Sequence, residues 1–348
     1  MRTTRLMIAK TIAIAAATAC LTSAAQAQRD RGDWKLYYDA DRERIEITFS
    51  EFAAGDWQTS RSFPVDSKAL EGLTIRALQG PTSDISFRVR RDAGTFTMNG
   101  TVGAMRGRGS FDFAPNAGFV DELTRRGYSR PTSEQQFQLA LNDVGLQFID
   151  ELRAQGYERS SVSELVRMGQ HGVSYDFVHG LALQGYKLGD TDDLVRMRDH
   201  GVTPGYIEAL HSAGYTKIDA DKLVEMRDHG VSADFIAGMR AAGFKNLDED
   251  ELIRIRDHGV SSSYISGMKS LGYNLSSDDL VRARDHGVTP SFIEGFRKLG
   301  YSNLSINEVI RLRDHGVTAS YAERVADRYR QRPSISDIIE ARDRGMRF

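Results

Sequence analysis

A repeat of 29 residues constrains the fold of this chain more than any other feature. Gly-Val recurs six times, and Gly followed by Tyr or Phe recurs seven times, in steps of 29 residues with one step of 28. A fixed period of this length is typical of arrays in which each unit packs on its neighbours. The glycines of the two series are Gly172, Gly201, Gly230, Gly259, Gly287 and Gly316, and Gly127, Gly156, Gly185, Gly214, Gly243, Gly272 and Gly300.

Each repeat contains the start and stop signals of two helices. In the unit from Asp190 to Tyr215, Asp190 is a helix N-cap and Gly201 a left-handed C′ residue. Thr203 then caps a second helix, which has Pro204 at its first position and ends at Gly214. Helices of about ten residues are marginal alone, so their stability must come from packing between units.

The two ends of the array match only part of a unit. Phe119–Tyr128 resembles a second helix and Ser334–Gly345 a first helix, with seven full units between them. The first full unit has Asn142 and Asp143 in place of His-Gly, and the last has Tyr329 in place of Gly. Atypical terminal units are typical of repeat arrays, and we expect sixteen helices in total.

The residues before the array alternate in polarity and predict strands. Between Trp34 and Pro115, apolar residues occur at every second position in four runs, which predicts antiparallel strands with one buried face. Asp92–Gly94 predicts a hairpin turn and Met105–Gly109 a looser one. The sheet needs a cover, either a second sheet layer or the first helices of the array. The runs are Ile45–Phe49, Ile85–Val89, Phe96–Met98 and Phe111–Phe113.

The sequence therefore predicts an α+β chain. Residues 1–27 form a signal peptide, and residues 28–116 form an antiparallel β domain. Residues 117–348 form an α-solenoid-like array of two-helix repeats: a half repeat, seven full repeats and a half repeat.

Arg-Asp-His-Gly recurs where the first helix of a unit ends. Zinc–nitrogen bonds are ~2.1 Å long, whereas packed helices lie ~8–10 Å apart, so stacking alone does not bring these histidines onto one metal ion. We expect a helix-ending role, because imidazole suits the negative end of the helix dipole. A ligand-facing stripe is the alternative. The histidines are His171, His200, His229, His258, His286 and His315.

The aspartate of this motif opposes the helix dipole and needs a partner. Arginine is the cation that recurs in register, so we expect each carboxylate to pair with an arginine of an adjacent unit. Either the motif arginine or the arginine two residues earlier could supply it: Arg196, Arg254, Arg282 or Arg311. The predicted ladder comprises Arg198, Asp199, Arg227, Asp228, Arg256, Asp257, Arg284, Asp285, Arg313 and Asp314.

The N-terminal residues have the pattern of an export signal. Arg2, Arg5 and Lys10 precede the apolar stretch Thr11–Leu21, which is shorter than the ~20 residues that span a bilayer. Ala25–Ala27 is a small-x-small cleavage site. The protein is therefore expected in the periplasm or the medium.

Cleavage after Ala27 would leave Gln28 as the first residue and remove Cys20, the single cysteine. The alternative is a lipoprotein anchored at Cys20. Cleavage would reduce the basic residues from 46 to 43 against 48 acidic ones, a net charge of −5. That charge gives no drive towards nucleic acid, and we expect no transmembrane segment in the mature chain.

The segment Leu194–Ile207, which contains Arg-Asp-His-Gly-Val-Thr-Pro, resembles the extracytoplasmic repeats of some bacterial membrane metallopeptidases related to the β-lactam sensor family. The resemblance covers the array from Phe119 onwards. It implies a helical module with a role in envelope sensing. The chain lacks the zinc motif of the peptidase, so no catalytic residue is carried over.

These observations favour a non-catalytic binding protein without a cofactor, whose repeats contact a protein or peptide in the cell envelope. One alternative is an envelope hydrolase that uses acids of the β domain. The other is a metal-responsive protein that uses the histidine column. The acids of the β domain are Asp39, Asp41, Glu43, Glu46, Glu51 and Asp56.

Overall fold

The computed structural model describes residues 31–52, 58–65, 70–157, 160–329 and 332–347. The expected signal peptide, with Cys20 and Gln28, lies outside the described residues, as do Asp56 and the side chain of Glu51. Within the described residues, an antiparallel sheet is followed by an array of sixteen helices, as the repeat predicts. None of the helices in this part of the chain is both long and apolar enough to cross a membrane.

Seven strands form the sheet, in the order β3-β2-β1-β7-β6-β5-β4, and every neighbouring pair is antiparallel. A short helix, α1 (Ile75–Gln79), separates β4 from β5. The strands are β1 (Arg31–Asp39), β2 (Arg44–Phe52), β3 (Gln58–Val65), β4 (Leu70–Glu71), β5 (Ser83–Arg91), β6 (Gly94–Gly103) and β7 (Arg106–Pro115).

Alternate side chains of the strands form an aromatic core, as their polarity predicts. Trp34 and Leu36 of β1 are buried, and Trp34 lies opposite Phe49 of β2. The ring of Phe49 also lies 5.0 Å from that of Phe96, three strands away in the sheet. A flat sheet would hold these rings far apart, because neighbouring strands are ~4.8 Å apart, so the sheet curls around its own core.

The two predicted hairpin turns have different outcomes. Arg91 pairs with Gly94 across a two-residue turn, which confirms the first. The second prediction, Met105–Gly109, is wrong, because Gly103 pairs with Arg106 and the turn is Ala104–Met105. Both turn residues have positive φ, 49° and 65°, as the twist of a tight hairpin requires. Residues 106–109 belong to β7.

Helices of the array cover the sheet. The ring of Phe137 lies 5.1 Å from that of Phe113 and 5.7 Å from that of Phe96. Beside it, the buried side-chain amide of Gln136 donates to the carbonyl oxygens of Ala93 (2.8 Å) and Asn116 (2.9 Å). Of the two covers left open by the sequence, the first helices are therefore the one present.

The array helices are nearly all nine residues long. The chain divides into two compact units, and the division falls between Arg198 and Asp199. The first unit also contains the sheet. The helices are α2 (Ala117–Arg125), α3 (Ser133–Leu141), α4 (Leu146–Ala154), α5 (Val162–Gln170), α6 (Tyr175–Leu183), α7 (Thr191–Asp199), α8 (Pro204–Ser212), α9 (Ala220–Asp228), α10 (Ala233–Ala241), α11 (Glu249–Asp257), α12 (Ser262–Ser270), α13 (Ser277–Asp285), α14 (Pro290–Lys298), α15 (Ile306–Asp314), α16 (Ala319–Tyr329) and α17 (Ile335–Asp343).

The predicted helix ends are confirmed. Gly201 and Gly214 have φ of 71° and 90°, and the other glycines of both series are also positive. After Gly230, the amide of Val231 donates to the carbonyl of Met226 at 2.9 Å, the long-range bond of a Schellman ending. In the degenerate first repeat, Asp143 takes the left-handed position with φ of 57°.

Candidate functional site

Histidine and aspartate side chains connect consecutive repeats of the second compact unit. His229, the C-cap residue of α9, places Nδ1 2.8 Å from Oδ1 of Asp257 at the end of α11. The same contact recurs at 2.6–2.7 Å in four other pairs, and together the five pairs form what we call the His–Asp row. The other pairs are His200–Asp228, His258–Asp285, His286–Asp314 and His315–Asp343.

The chemistry of each pair fixes the histidine tautomer. An ionised carboxylate only accepts hydrogen bonds, so Nδ1 must carry a proton. This hydrogen bond to Asp257 raises the pKa of His229, because it stabilises the protonated ring. The paired side chains are 38–49% exposed, so the row lies at the surface and not in the core.

The predicted pairing of motif arginine with motif aspartate is wrong for these repeats. Histidine takes the carboxylate, and the arginine contacts the preceding unit in another way. Nε of Arg227 donates to the carbonyl of Gly201 at 3.1 Å, and its guanidinium lies 5.2 Å from the ring centre of Tyr206. Adjacent residues of a helix point in directions about 100° apart. Arg227 and Asp228 therefore contact different residues of the same preceding unit.

The arginine stacking also recurs, and we call it the Arg–aromatic row. In the second compact unit the guanidinium carbon lies 5.2–5.3 Å from the ring centre of the preceding repeat. The sequence carries a signal for this row that the predicted ladder left out: an aromatic residue recurs at the third position of each second helix. The pairs are Arg227–Tyr206, Arg256–Phe235, Arg284–Tyr264, Arg313–Phe292 and Arg342–Tyr321.

The described part of the first compact unit also contains a contact of this kind. Nε of Arg198 donates to the carbonyl of Gly172 at 3.0 Å, and its guanidinium lies 5.7 Å from the ring centre of Phe177. His171, the remaining histidine of the predicted column, is the C-cap residue of α5.

Buried tyrosines add a further link between repeats. The hydroxyl of Tyr206 donates to the carbonyl of Val231 at 2.8 Å. Burial raises the pKa of Tyr206 to about 12, so the hydroxyl stays protonated at neutral pH and remains a donor. At a different position of the repeat, after the glycine that ends the second helix, the half-buried Tyr215 and Tyr273 donate bonds of 2.7 Å to the carbonyls of Leu247 and Leu304. The polar ends of these rings are therefore used within the array.

The arginine two residues before the motif arginine has a different partner from the one proposed. The guanidinium of Arg254 lies 2.6 Å from Oδ1 of Asp278. Asp278 is in the first turn of the first helix of the next unit and is not a motif aspartate. In the repeat where Glu225 replaces this arginine, Lys222 lies 2.5 Å from Glu225 and 2.8 Å from Asp250 of the next unit. A cation thus crosses this junction too.

The described acids of the β domain have local roles. The carboxylate of Asp39 accepts from the amides of Asp41 and Arg42 in the β1–β2 turn. Glu43 has a φ of 50° in the same turn, and Glu46 lies 2.9 Å from Arg44. Glu46 is thus directed to a neighbouring arginine and Asp39 to the turn.

Neither models of known protein families nor curated protein sequences match this chain. In the part of the chain that the structure describes, no group of three or more His, Cys, Asp or Glu side chains is arranged to hold a metal ion.

Proposed function

We propose that this chain is an exported, non-catalytic binding protein whose helical repeats present a surface to a protein or peptide partner in the cell envelope. The observation that carries the proposal is that recurring residues and exposed variable residues of each repeat have different roles. Residues that recur from unit to unit, such as those of the His–Asp row, make contacts between units. Stacked repeats of this kind form extended surfaces suited to macromolecular partners.

Exposed positions of the second helices are less constant than the residues of the two rows. One such position lies at the middle of α8, α10, α12, α14 and α16, and its side chain is exposed in each of them. Variation at exposed positions over a constant framework suits recognition of a particular partner, and function must be argued from such positions and not from the fold. The five residues are Glu208, Ala237, Ser266, Glu294 and Glu323.

Photo-crosslinking tests this proposal. A photoreactive amino acid is placed singly at 208, 237, 266 and 294 in the full chain, which is expressed in its native host. We expect one discrete protein or peptide adduct, strongest at two or more of these positions. The matched controls are 225 and 282, exposed on first helices. Equal labelling at all positions, or no adduct at any, would contradict the proposal.

The export part of the proposal rests on the N-terminal pattern and has its own test. Mass spectrometry of the protein purified from its native host should find Gln28 as the first residue. A lipidated N-terminal Cys20 would contradict cleavage after Ala27 and show that the protein is a lipoprotein.

The metal-responsive alternative is tested by titration calorimetry with zinc. Heat of binding that disappears in the His229→Gln variant would favour it over the proposed role.

A further inference from the structure

A cavity on the outer side of the sheet is lined by three cations. Its volume is about 530 Å³, within the ~300–1,000 Å³ range of ligand sites. We call it the basic groove. Its cations are Lys35 of β1 and Arg106 and Arg108 of β7, and all three side chains are exposed. The remaining lining residues are Leu36, Tyr37, Thr82, Thr101, Gly103 and Gly107.

These cations have no acidic partner among the residues that the structure describes. Lys35 and Arg108 are directly opposite each other on antiparallel strands, an arrangement in which like charges repel. Asp33, two residues before Lys35 on the same face of β1, forms no ion pair with these cations within the described residues, and two further acids of the neighbouring strands are engaged elsewhere. Glu46 lies 2.9 Å from Arg44, and Asp112 lies 2.7 Å from Arg31. An anion in the groove would therefore relieve repulsion that no ion pair of the described residues relieves.

An exposed aromatic ring lies beside the cations. Tyr37 is 50% exposed and belongs to the groove lining, whereas Trp34 and Tyr38 of the same strand are buried. An exposed tyrosine offers a rigid apolar face and a hydroxyl to a ligand. The groove thus combines positive charge with an exposed aromatic surface. A cluster of solvated arginines alone lacks such a surface.

The spacing of the arginines fits an extended peptide. Arg106 and Arg108 are two residues apart on one face of β7, so their Cα atoms are ~6.6 Å apart. Alternate side chains of an extended peptide have this same spacing. Two carboxylates at positions i and i+2 could therefore each meet one arginine, and arginine binds carboxylates in charge-assisted pairs.

We propose that the basic groove binds an extended, acidic peptide segment, with alternate carboxylates on Arg106 and Arg108 and a contact on Tyr37. This site goes beyond the function proposed for the repeats, because it lies in the sheet and its occupancy can be measured without the partner of the array.

Fluorescence anisotropy of the full chain with labelled hexaglutamate tests the proposal. We expect binding that weakens as salt rises, because counterions screen the exposed charges. The triple variant K35Q/R106Q/R108Q should weaken it at least tenfold. The triple variant R88Q/R90Q/R125Q loses the same charge from exposed side chains outside the groove, and should change it less than threefold. An equal loss in both triples would overturn the site in favour of nonspecific attraction.

Further arms separate a peptide from other ligands. Tyr37→Phe should keep the affinity for hexaglutamate, whereas Tyr37→Ala should lower it about threefold or more. Inorganic polyphosphate, or vesicles of anionic phospholipid, that compete better than unlabelled hexaglutamate would overturn the choice of a peptide. Circular dichroism must show the same melting temperature for all variants. If the groove triple does not fold, the single variant Arg106→Gln should still lose at least threefold, and no loss would overturn the proposal.

Discussion

Nδ1 of His229 lies 2.8 Å from Oδ1 of Asp257, the aspartate of the next repeat. The pair joins the end of one helix to the end of another. The two residues belong to consecutive copies of the Arg-Asp-His-Gly motif. The motif is therefore an interlocking element: each copy offers a histidine to the next copy and an aspartate to the previous one. This relationship explains the recurrence of an aspartate where the helix dipole disfavours it.

The His229–Asp257 pair makes stability depend on pH. The pKa of His229 is raised in the folded state by the hydrogen bond to Asp257. Its stabilising contribution is thus complete below the unfolded pKa of ~6.5 and is lost as pH rises through the folded value. We expect Asp257→Asn to lower the melting temperature most near pH 6 and less at pH 9. Glu208→Gln, an exposed control, should show no such trend. A pH-independent deficit in Asp257→Asn would refute this linkage.

Gly230→Ala should destabilise the second compact unit by about 1–2 kcal/mol, the cost of left-handed backbone for a residue with Cβ. Gly230 has a φ of 70°. Gly205, in the first turn of α8, does not have a positive φ, and its added Cβ would approach Thr203 only to 4.0 Å. Gly205→Ala is therefore the control and should be neutral or stabilising. Urea denaturation measures both, and a stabilised Gly230→Ala would show that this helix does not end as described.

Arg227→Lys should cost about 1 kcal/mol although the charge is kept. Lysine lacks the planar guanidinium that lies over Tyr206 and the Nε that donates to Gly201. The control is Arg282→Lys, because Arg282 pairs at 2.9 Å only with Asp279 on its own helix. That change should stay within ~0.5 kcal/mol, as is usual for exposed pairs. If urea denaturation showed the same loss of unfolding free energy in both variants, the stacking of Arg227 on Tyr206 would contribute no more than an exposed ion pair.

Phe137→Ala should cost about 3–5 kcal/mol, the usual range for removing a buried ring. The ring is 2% exposed and packs on Phe96 and Phe113 of the sheet. Because α3 covers the sheet, tryptophan fluorescence from Trp34, measured in a Trp57→Phe background, should report unfolding at lower urea together with the helical signal. Leu183→Ala, at a site 74% exposed, is the control and should change little. If the helical signal were lost at lower urea while the fluorescence transition of Trp34 did not shift, the sheet and the helices would not stabilise each other.

The period of the repeat predicted the helix ends because they depend on local chemistry. A glycine such as Gly201 and a capping residue such as Thr203 act within one turn of the backbone. The Arg–Asp pairing was wrong because it depends on the rotation between neighbouring units. That rotation decides whether His229 or Arg227 of the preceding unit faces Asp257, and it is set by packing of many buried side chains.

The cover of the sheet and the basic groove depend on contacts between distant segments. Phe137 looks like any other apolar residue of an amphipathic helix, and nothing beside it in sequence indicates Phe113. Lys35 and Arg108 become neighbours only through the pairing of β1 with β7. The alternation of Arg106 and Arg108 along β7 is the one local sign of a charged strand face.

The loop between Tyr273 and Ser276 is one residue shorter than its equivalents, yet the pair that spans it, His258–Asp285, is 2.6 Å apart. The junction thus keeps its His–Asp contact when this loop is shorter by one residue, which makes the array modular in an evolutionary sense. Excising one complete unit at equivalent loops would bring His200 opposite Asp257, which offers the same carboxylate. Recombination within a gene of this kind can lengthen or shorten the protein without having to invent a new interface.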